Sequence, residues 1–374
     1  MSRFDRYMLS QLLALFGFFS LVLVLVYWIN RAVGLFDKLI GDGQSSLVFL
    51  EFSLLTLPFI IQLVMPISAF AATVYVTNRL TSESELVVMQ ATGFSAFRLA
   101  RPVLYFGVIV AMMMMVLMHV LVPISRTMMA DRSAEISENV TARFLTEGQF
   151  THPASGITLY IREITENGEL LDIFLADDRA EKTRTTYTAR RAFLVKGTDG
   201  PKLVMFDGMA QSVARDGARL AVTQFADFAY DLADLITGTV RTGRGVDELA
   251  TRELLRPSAA VMTETGKSRS ALLFEGNNRF GQPMLATAAA LIGFSALLLG
   301  AFSRFGLWRQ ILFAIVLLIV VQTVNTVVAA AGKQDDKGWV LAYVPALFGI
   351  CIAAVLLWLS QRPRRLRKRT EVMA

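Results

Sequence analysis

The stretch LLALFGFFSLVLVLVYWI, Leu12 to Ile29, runs for 18 residues without a charged side chain. A run of that length is what a helix needs to cross the hydrocarbon core of a bilayer. Further uncharged runs follow at Phe52 to Val76, Pro102 to Ile124, Pro283 to Phe302, Ile311 to Ala331 and Val340 to Ser360. Composition agrees, since 54% of the 374 residues are hydrophobic and mean hydropathy is +0.50, above the range of ordinary soluble domains. The sequence reads as an integral membrane protein with six spans, three on each side of a long polar stretch. Leu12–Ile29 resembles a secretory signal in length, but it lacks an A-x-A type cleavage site and further spans follow, so it reads as a retained helix.

Orientation follows from Lys and Arg in the short loops. Arg3 and Arg6 precede the first span, Arg79, Arg98 and Arg101 lie between the second and third, and Arg304 and Arg309 lie between the fourth and fifth. The tail adds Arg362, Arg364, Arg365, Arg367, Lys368 and Arg369. With six spans all of these fall on one side, which puts both termini in the cytoplasm. The opposite loops are balanced by acids: Arg31 and Lys38 lie near Asp37 and Asp42, and Lys333 and Lys337 near Asp335 and Asp336. The polar stretch then faces outward. A basic tail beside a span is a topology signal and a contact for anionic lipid, and nothing else here resembles a nucleic-acid module.

The polar stretch, Ser125 to about Lys267, has strand periodicity. Ile157, Leu159 and Ile161 alternate with Thr158, Tyr160 and Arg162, and similar runs recur near 143–150, 170–175, 186–195, 202–210 and 219–230. Turn signals such as Glu166-Asn167-Gly168 and Thr198-Asp199-Gly200 separate them. An antiparallel all-β sandwich or jelly roll is expected. Leu203-Val204-Met205-Phe206 is apolar on both faces, so that strand is expected to be covered on both sides, by core in the first reading or by something bound in the second.

Several catalytic motifs fail on inspection. Gly266-Lys267-Ser268 resembles the end of a phosphate-binding loop, but the glycine required five positions before Gly266 is Val261, so this chain should not bind ATP. Gly243-Arg244-Gly245 lacks the third glycine of a dinucleotide fingerprint. Ser95 and Ser295 sit in Gly-x-Ser settings, yet His119 and His152 are the only histidines. Ser95 is separated from both by depth, and no orienting carboxylate stands in the spans near Ser295. Two histidines and the single Cys351, itself within a span, give neither a metal signature nor an intramolecular disulfide. A non-enzymatic chain without a cofactor of its own is expected.

Uncharged polarity within the spans gathers at Gln322, Thr323 and Asn325, where helix-to-helix hydrogen bonding is the first reading and a cavity face the second. Between spans two and three, Ser82 and Glu85 have the spacing of a capping box, and Gly93 suits a helical stop. A helix from Glu83 to Thr92, about 15 Å long, is expected. Leu86, Met89 and Gln90 follow at helical spacing while Val87 and Val88 widen the apolar surface. Such a helix wants two neighbours: its own bundle, and a partner protein.

The run Asn78-Arg79-Leu80-Thr81-Ser82-Glu83-Ser84-Glu85-Leu86-Val87-Val88-Met89-Gln90-Ala91-Thr92-Gly93-Phe94-Ser95 resembles the cytoplasmic loop of the lipopolysaccharide export permeases, the LptF/LptG family. Arg3-Phe4-Asp5-Arg6-Tyr7 and Asn30-Arg31 are more similar to the LptF branch. The resemblance implies a six-span α-helical bundle, three plus three, with an inserted periplasmic β-jellyroll: residues 1–124, 125–270 and 271–374, with a coupling helix in 82–93. It implies an inner-membrane location and pairing with an LptG-like paralogue. It also implies an LptB-like ATPase dimer, which uses ATP and Mg, docked on the coupling helix through Glu83, Glu85, Leu86, Met89 and Gly93. LptC-like and LptA-like jellyroll proteins would receive the lipopolysaccharide. A lateral gate of spans one and five would engage Gln322 and Asn325, and Arg31, Lys38 and Lys333 would meet lipid A phosphates.

The rival reading is a stand-alone or ion-coupled permease, or a membrane-anchored scaffold whose β domain binds envelope partners. An ion-driven carrier is expected to hold ionisable residues within its spans. The uncharged runs contain no acid, and Glu51 lies just outside the second, which favours a permease driven by a separate ATPase.

Overall fold

The computed structural model describes residues 2–41, 45–143, 147–154, 156–165, 168–180, 183–197, 200–214, 219–231, 243–299 and 307–361. The side chain of Lys38, Arg304 and the basic tail beyond Gln361 lie outside the described residues. Residues Met1–Thr127 with Gly243–Ala374 form one compact unit, and Met128–Thr242 form another.

Helices in chain order are α1 (Arg3–Gly41), α2 (Ser46–Ser82), α3 (Glu85–Ala91), α4 (Ala96–Val116), α5 (Val122–Arg143), α6 (Thr251–Leu255), α7 (Ala259–Thr265), α8 (Arg269–Leu298), α9 (Trp308–Gly332) and α10 (Val344–Ser360). A π-helical turn at Leu117–Leu121 joins α4 to α5. Among the described residues six helical segments are long and apolar enough to cross a membrane: Arg3–Phe36, Ser46–Ser82, Ala96–Glu135, Arg269–Leu298, Trp308–Gly332 and Gly338–Ser360. Three precede the sheet in the chain and three follow it.

The α8 helix is the hub. In its most apolar window 83% of residues are buried, against 11% in each of α1 and α9. Its small residues, including Ala286, Ala288, Ala289, Ala290, Gly293 and Ala296, are buried and let neighbouring helices approach closely, the usual basis of packing in a membrane. At the crossing with α4, Thr287 Oγ1 donates to the Gly107 carbonyl at 2.9 Å. A Cβ on Gly107 would meet Thr287 Cγ2 at 2.7 Å, so glycine is what permits that bond. Met8, Leu12 and Phe16 of α1, Met65 and Ala69 of α2, and Leu99, Val103 and Phe106 of α4 complete a shared core.

Helix α8 starts at Arg269, well before the expected span start at Pro283. Its polar first half is stabilised by specific partners. Arg279, only 4% exposed, donates to the carbonyls of Leu249 at 2.8 Å and Val246 at 3.2 Å and to Thr251 Oγ1 at 3.1 Å. Leu249, Leu254 and Leu272 form a small apolar cluster beside it, and Arg244 bridges Glu264 at 2.8 Å and Glu253 at 3.1 Å. Gly243 to Ser270 therefore fold with the helices, and the β unit ends earlier than the expected boundary at 270. Gly266-Lys267-Ser268 is helix punctuation: Gly266, at φ 60°, closes α7, and Ser268 Oγ caps α8 by accepting from the Ala271 amide at 3.3 Å.

The second unit contains β1 (Phe150–Ala154), β2 (Ile157–Ile164), β3 (Glu169–Asp177), β4 (Thr183–Gly197), β5 (Gly200–Ala214) and β6 (Leu220–Asp231). Among the described residues hydrogen bonding makes one antiparallel sheet in sequential order, where the expected sandwich or jelly roll would show two. Closure comes from a crease. Pairing is interrupted at one level in four successive ladders, at Arg162/Asp172, Asp172/Arg190, Arg190/Asp207 and Asp207/Ala226, while register is kept on both sides. Asp172 and Asp207 adopt positive φ there, 46° and 51°, and the inward positions change parity: Ile157, Leu159 and Ile161 are inside before the crease and Ile164 packs inward after it. Folding along that line brings non-adjacent strands together. Tyr187 of β4 stacks on Phe228 of β6 with centroids 5.1 Å apart, and Tyr230 of β6 donates to Asp177 Oδ2 of β3 at 2.6 Å. In Leu203–Phe206 only Leu203 and Met205 are buried, whereas Phe206 packs edge-on to Phe193 on the opposite face.

Candidate functional site

The connection from α2 to α4 is built from backbone features that the sequence only partly signals. Hydroxyls of Thr73, Thr77, Thr81 and Ser82 each donate to the carbonyl four residues back, which satisfies them inside α2. Ser82 thus remains helical and does not cap α3. The expected capping box with Glu85 is absent, and the break comes at Ser84, whose φ of 63° is left-handed. Glu83 caps the end of α2 and pairs with Arg79 at 3.2 Å. The far end of α3 matches expectation: Gly93, at φ 91°, donates to the Gln90 carbonyl at 3.0 Å and Phe94 to the Met89 carbonyl at 3.2 Å, the Schellman pattern that glycine favours.

The start of α3 and the last turn of α2 are each tied to α1. Tyr7 OH donates to Glu85 Oε1 at 3.4 Å, and Arg79 Nη1 donates to Gln11 Oε1 at 3.4 Å. Leu86 is 1% exposed and belongs to the bundle core, against which Met89 also packs. Both pack against their own bundle, Leu86 fully and Met89 with part of its surface still exposed. The apolar residues left on the surface are Val87 and Val88, 37% and 59% exposed.

The other expected site residues are dispersed. Gln322 is exposed on α9, whereas Asn325 Oδ1 accepts from Gln282 of α8 at 3.3 Å, which is helix-to-helix bonding. Lys333 ends α9; its Nζ lies 3.7 Å from Glu275, and its carbonyl accepts from Ser270 Oγ at 2.8 Å. Arg31 lines a cavity of about 410 Å³ between α1, α2 and α5. Arg126, also in that lining, reads in the sequence only as the start of the polar stretch; its signal is an arginine directly after an apolar run whose helix continues.

The serines of the Gly-x-Ser settings have ordinary duties. Ser95 Oγ caps α4 by accepting from the Arg98 amide at 3.3 Å. Ser295 Oγ donates to the Ile292 carbonyl at 3.2 Å, while His119 Nδ1 lies 3.2 Å from Thr251 Oγ1.

Six membrane-length helices, a separate antiparallel sheet and the short helix between α2 and α4 coincide with a family match. The model of the lipopolysaccharide export system permease LptF/LptG covers residues 6–359. The chain belongs to the LptF/LptG family. An uncharacterised protein of Rickettsia prowazekii is 21% identical over 362 residues, covering 95% of this chain and 98% of that one. The lipopolysaccharide export system permease protein LptF of Escherichia coli K12 is 27% identical over 212 residues, 56% of this chain and 52% of its own length; LptF of Shigella flexneri matches to the same extent. The alignment thus spans about half the length of these LptF proteins. Membership makes the chain a multi-pass membrane subunit of a lipopolysaccharide export permease, a class of transporter subunit rather than of enzyme.

Proposed function

We propose that the chain is the LptF-like subunit of an ATP-driven lipopolysaccharide exporter of the inner membrane, paired with an LptG-like paralogue. Both termini and α3 face the cytoplasm, and the creased β unit is the periplasmic, jellyroll-like module that passes lipid to LptC-like and LptA-like partners. ATP and Mg are used by a separate LptB-like ATPase dimer. The observation that carries this reading is α3: a short helix set off by a left-handed Ser84 and a glycine stop, tied to α1 by the Tyr7–Glu85 hydrogen bond just after the last turn of α2 is tied to α1 by Arg79 and Gln11, with Val87 and Val88 uncovered. A push on such an element is transmitted into α1, one of the two least buried spans. That span and α9, with Gln322 on its surface, are the faces offered to the paralogue and the cargo. Glu83 and Glu85 are the charged rim of the docking surface, and Val87 and Val88 replace Leu86 and Met89 as its apolar contacts.

The test is co-purification. The full chain is expressed with its membrane partners and ATPase, and retention of the ATPase is compared for wild type and Glu85→Arg. Retention by wild type and loss in the variant is expected. An ATPase absent from an otherwise intact wild-type membrane assembly favours a stand-alone permease or scaffold.

A further inference from the structure

The span that begins with α4 does not run straight into α5. Leu117–Leu121 forms a π turn, in which the Val122 amide donates to the Leu117 carbonyl, so the turn holds one residue more than an α-helix needs. Pro123 is a partial cause, since its ring crowds the His119 carbonyl and lacks the N–H that would meet it. Pro58, Pro66, Pro102 and Pro283 also stand inside helices, however, and those helices stay α. Side-chain contacts distinguish this site. His119 lies in the middle of the turn with its ring centroid 4.5 Å from that of Phe280, and its Nδ1 is 3.2 Å from Thr251 Oγ1. Arg279 donates to the same hydroxyl, so the Thr251 proton goes to Nδ1 and the imidazole carries its own on Nε2, which is buried without a partner among the described residues.

The two partners in this contact belong to the two chain connections of the β unit. His119 precedes α5, which leads the chain out, and Thr251 opens α6 on the segment that returns, which Arg279 holds to α8 through the Val246 and Leu249 carbonyls. We propose that the π turn is a two-register joint, held in its present register by the His119–Thr251 contact. The π register gains a hydrogen bond at Nδ1 and leaves a buried donor unmet at Nε2, so its margin over the α register is narrow. Release of His119 lets the extra residue join a regular helix; the start of α5 then turns by about 100° and advances by about 1.5 Å relative to α4. A change of that size redirects the chain where it leaves the helical unit. Thr251 is a positioning residue in this scheme, and the inference does not depend on the docking role of α3.

The experiment is a pulsed electron-resonance distance measurement on the full chain in detergent. Cys351 is replaced by serine, and spin labels are attached through Leu104→Cys in α4 and Ile124→Cys in α5, both exposed positions. With no further change one distance is expected. Thr251→Val removes the hydroxyl while Arg279 keeps its two carbonyls, and a second, displaced distance should appear; Thr251→Ser should restore the first alone. His119→Phe, which keeps a ring against Phe280 and loses Nδ1, should behave as Thr251→Val does. Deleting Val120, an exposed residue of the turn, removes the extra residue and leaves α5 in place, so in that background Thr251→Val should move nothing. A Thr251→Val or His119→Phe protein that elutes as wild type does and keeps the first distance alone overturns the inference, because Pro123 then suffices to make the turn. A displacement of the same size in the Val120 deletion overturns it as well, since loosening rather than a change of register would explain it.

Discussion

Replacing Val88 by glutamate separates docking from folding. Val88 is 59% exposed and the change leaves the core intact, so stability of the chain itself should move by no more than about 0.5 kcal/mol. In a docked complex the same side chain loses the water that covers it. Full burial of a valine contributes about 1.5–3 kcal/mol, and the exposed 59% represents about 1–2 kcal/mol of that, before the cost of desolvating the new carboxylate. The ATPase should therefore bind at least about tenfold more weakly. Leu86→Ala is the counterpart: Leu86 is 1% exposed, and truncating a buried leucine costs about 2–5 kcal/mol, felt first as undocking of α3 from its bundle. The assay pairs thermal melting of the purified chain with the amount of ATPase retained on it. Val88→Glu is expected to melt like wild type and lose the ATPase, while Leu86→Ala lowers the melting temperature. A Val88→Glu protein that keeps the ATPase at full occupancy refutes the assigned docking face.

Other consequences follow from single contacts. Gly93→Ala places a Cβ at φ 91° in open space, so its cost of about 1 kcal/mol is purely backbone strain; melting should fall slightly and hydrogen exchange at α3 should rise. Gly107→Val drives side-chain atoms into Thr287 and should cost about 1–3 kcal/mol by overpacking the α4–α8 crossing, read as a lower melting temperature that Thr287→Ala partly restores. Hydrogen bonds from Arg179 chiefly, and from Tyr230, hold the Asp177 carboxyl at about 2, below its ordinary 3.8. Since the folded value is the lower one, this stabilisation is fully present above about pH 4 and is lost as pH falls through 2, at most about 2 kcal/mol. Protection of β6 amides in hydrogen exchange should decline over that window, and Asp177→Asn should flatten the decline.

Much of the helical unit was legible because uncharged runs of membrane length are rare in chains that fold in water. The polar half of α8 was not, since Asn277, Arg279 and Gln282 look like loop residues until Tyr343, the Leu249 carbonyl and Asn325 are in place to bond them. Strand positions in the β unit were readable from alternation, but the crease shifts that alternation by one residue along all the central strands, so periodicity within one strand cannot show how the sheet closes. At α3 the glycine stop was visible in the sequence and the start was not. Ser82 and Glu85 have capping-box spacing, yet the hydroxyl prefers the Asn78 carbonyl of an uninterrupted α2. Four consecutive apolar residues, Leu86 to Met89, leave the inward face undecided in the sequence; the structure selects Leu86, which is buried in the bundle core.

The most direct test of the export function is lipopolysaccharide release. The chain would be reconstituted in proteoliposomes with its paralogue, the ATPase and lipopolysaccharide, and release to a soluble jellyroll acceptor followed with and without ATP. Release that requires ATP, and that Val88→Glu abolishes by uncoupling the ATPase, is the predicted result. Steady ATP hydrolysis by an assembled complex with no movement of lipopolysaccharide to the acceptor would contradict it.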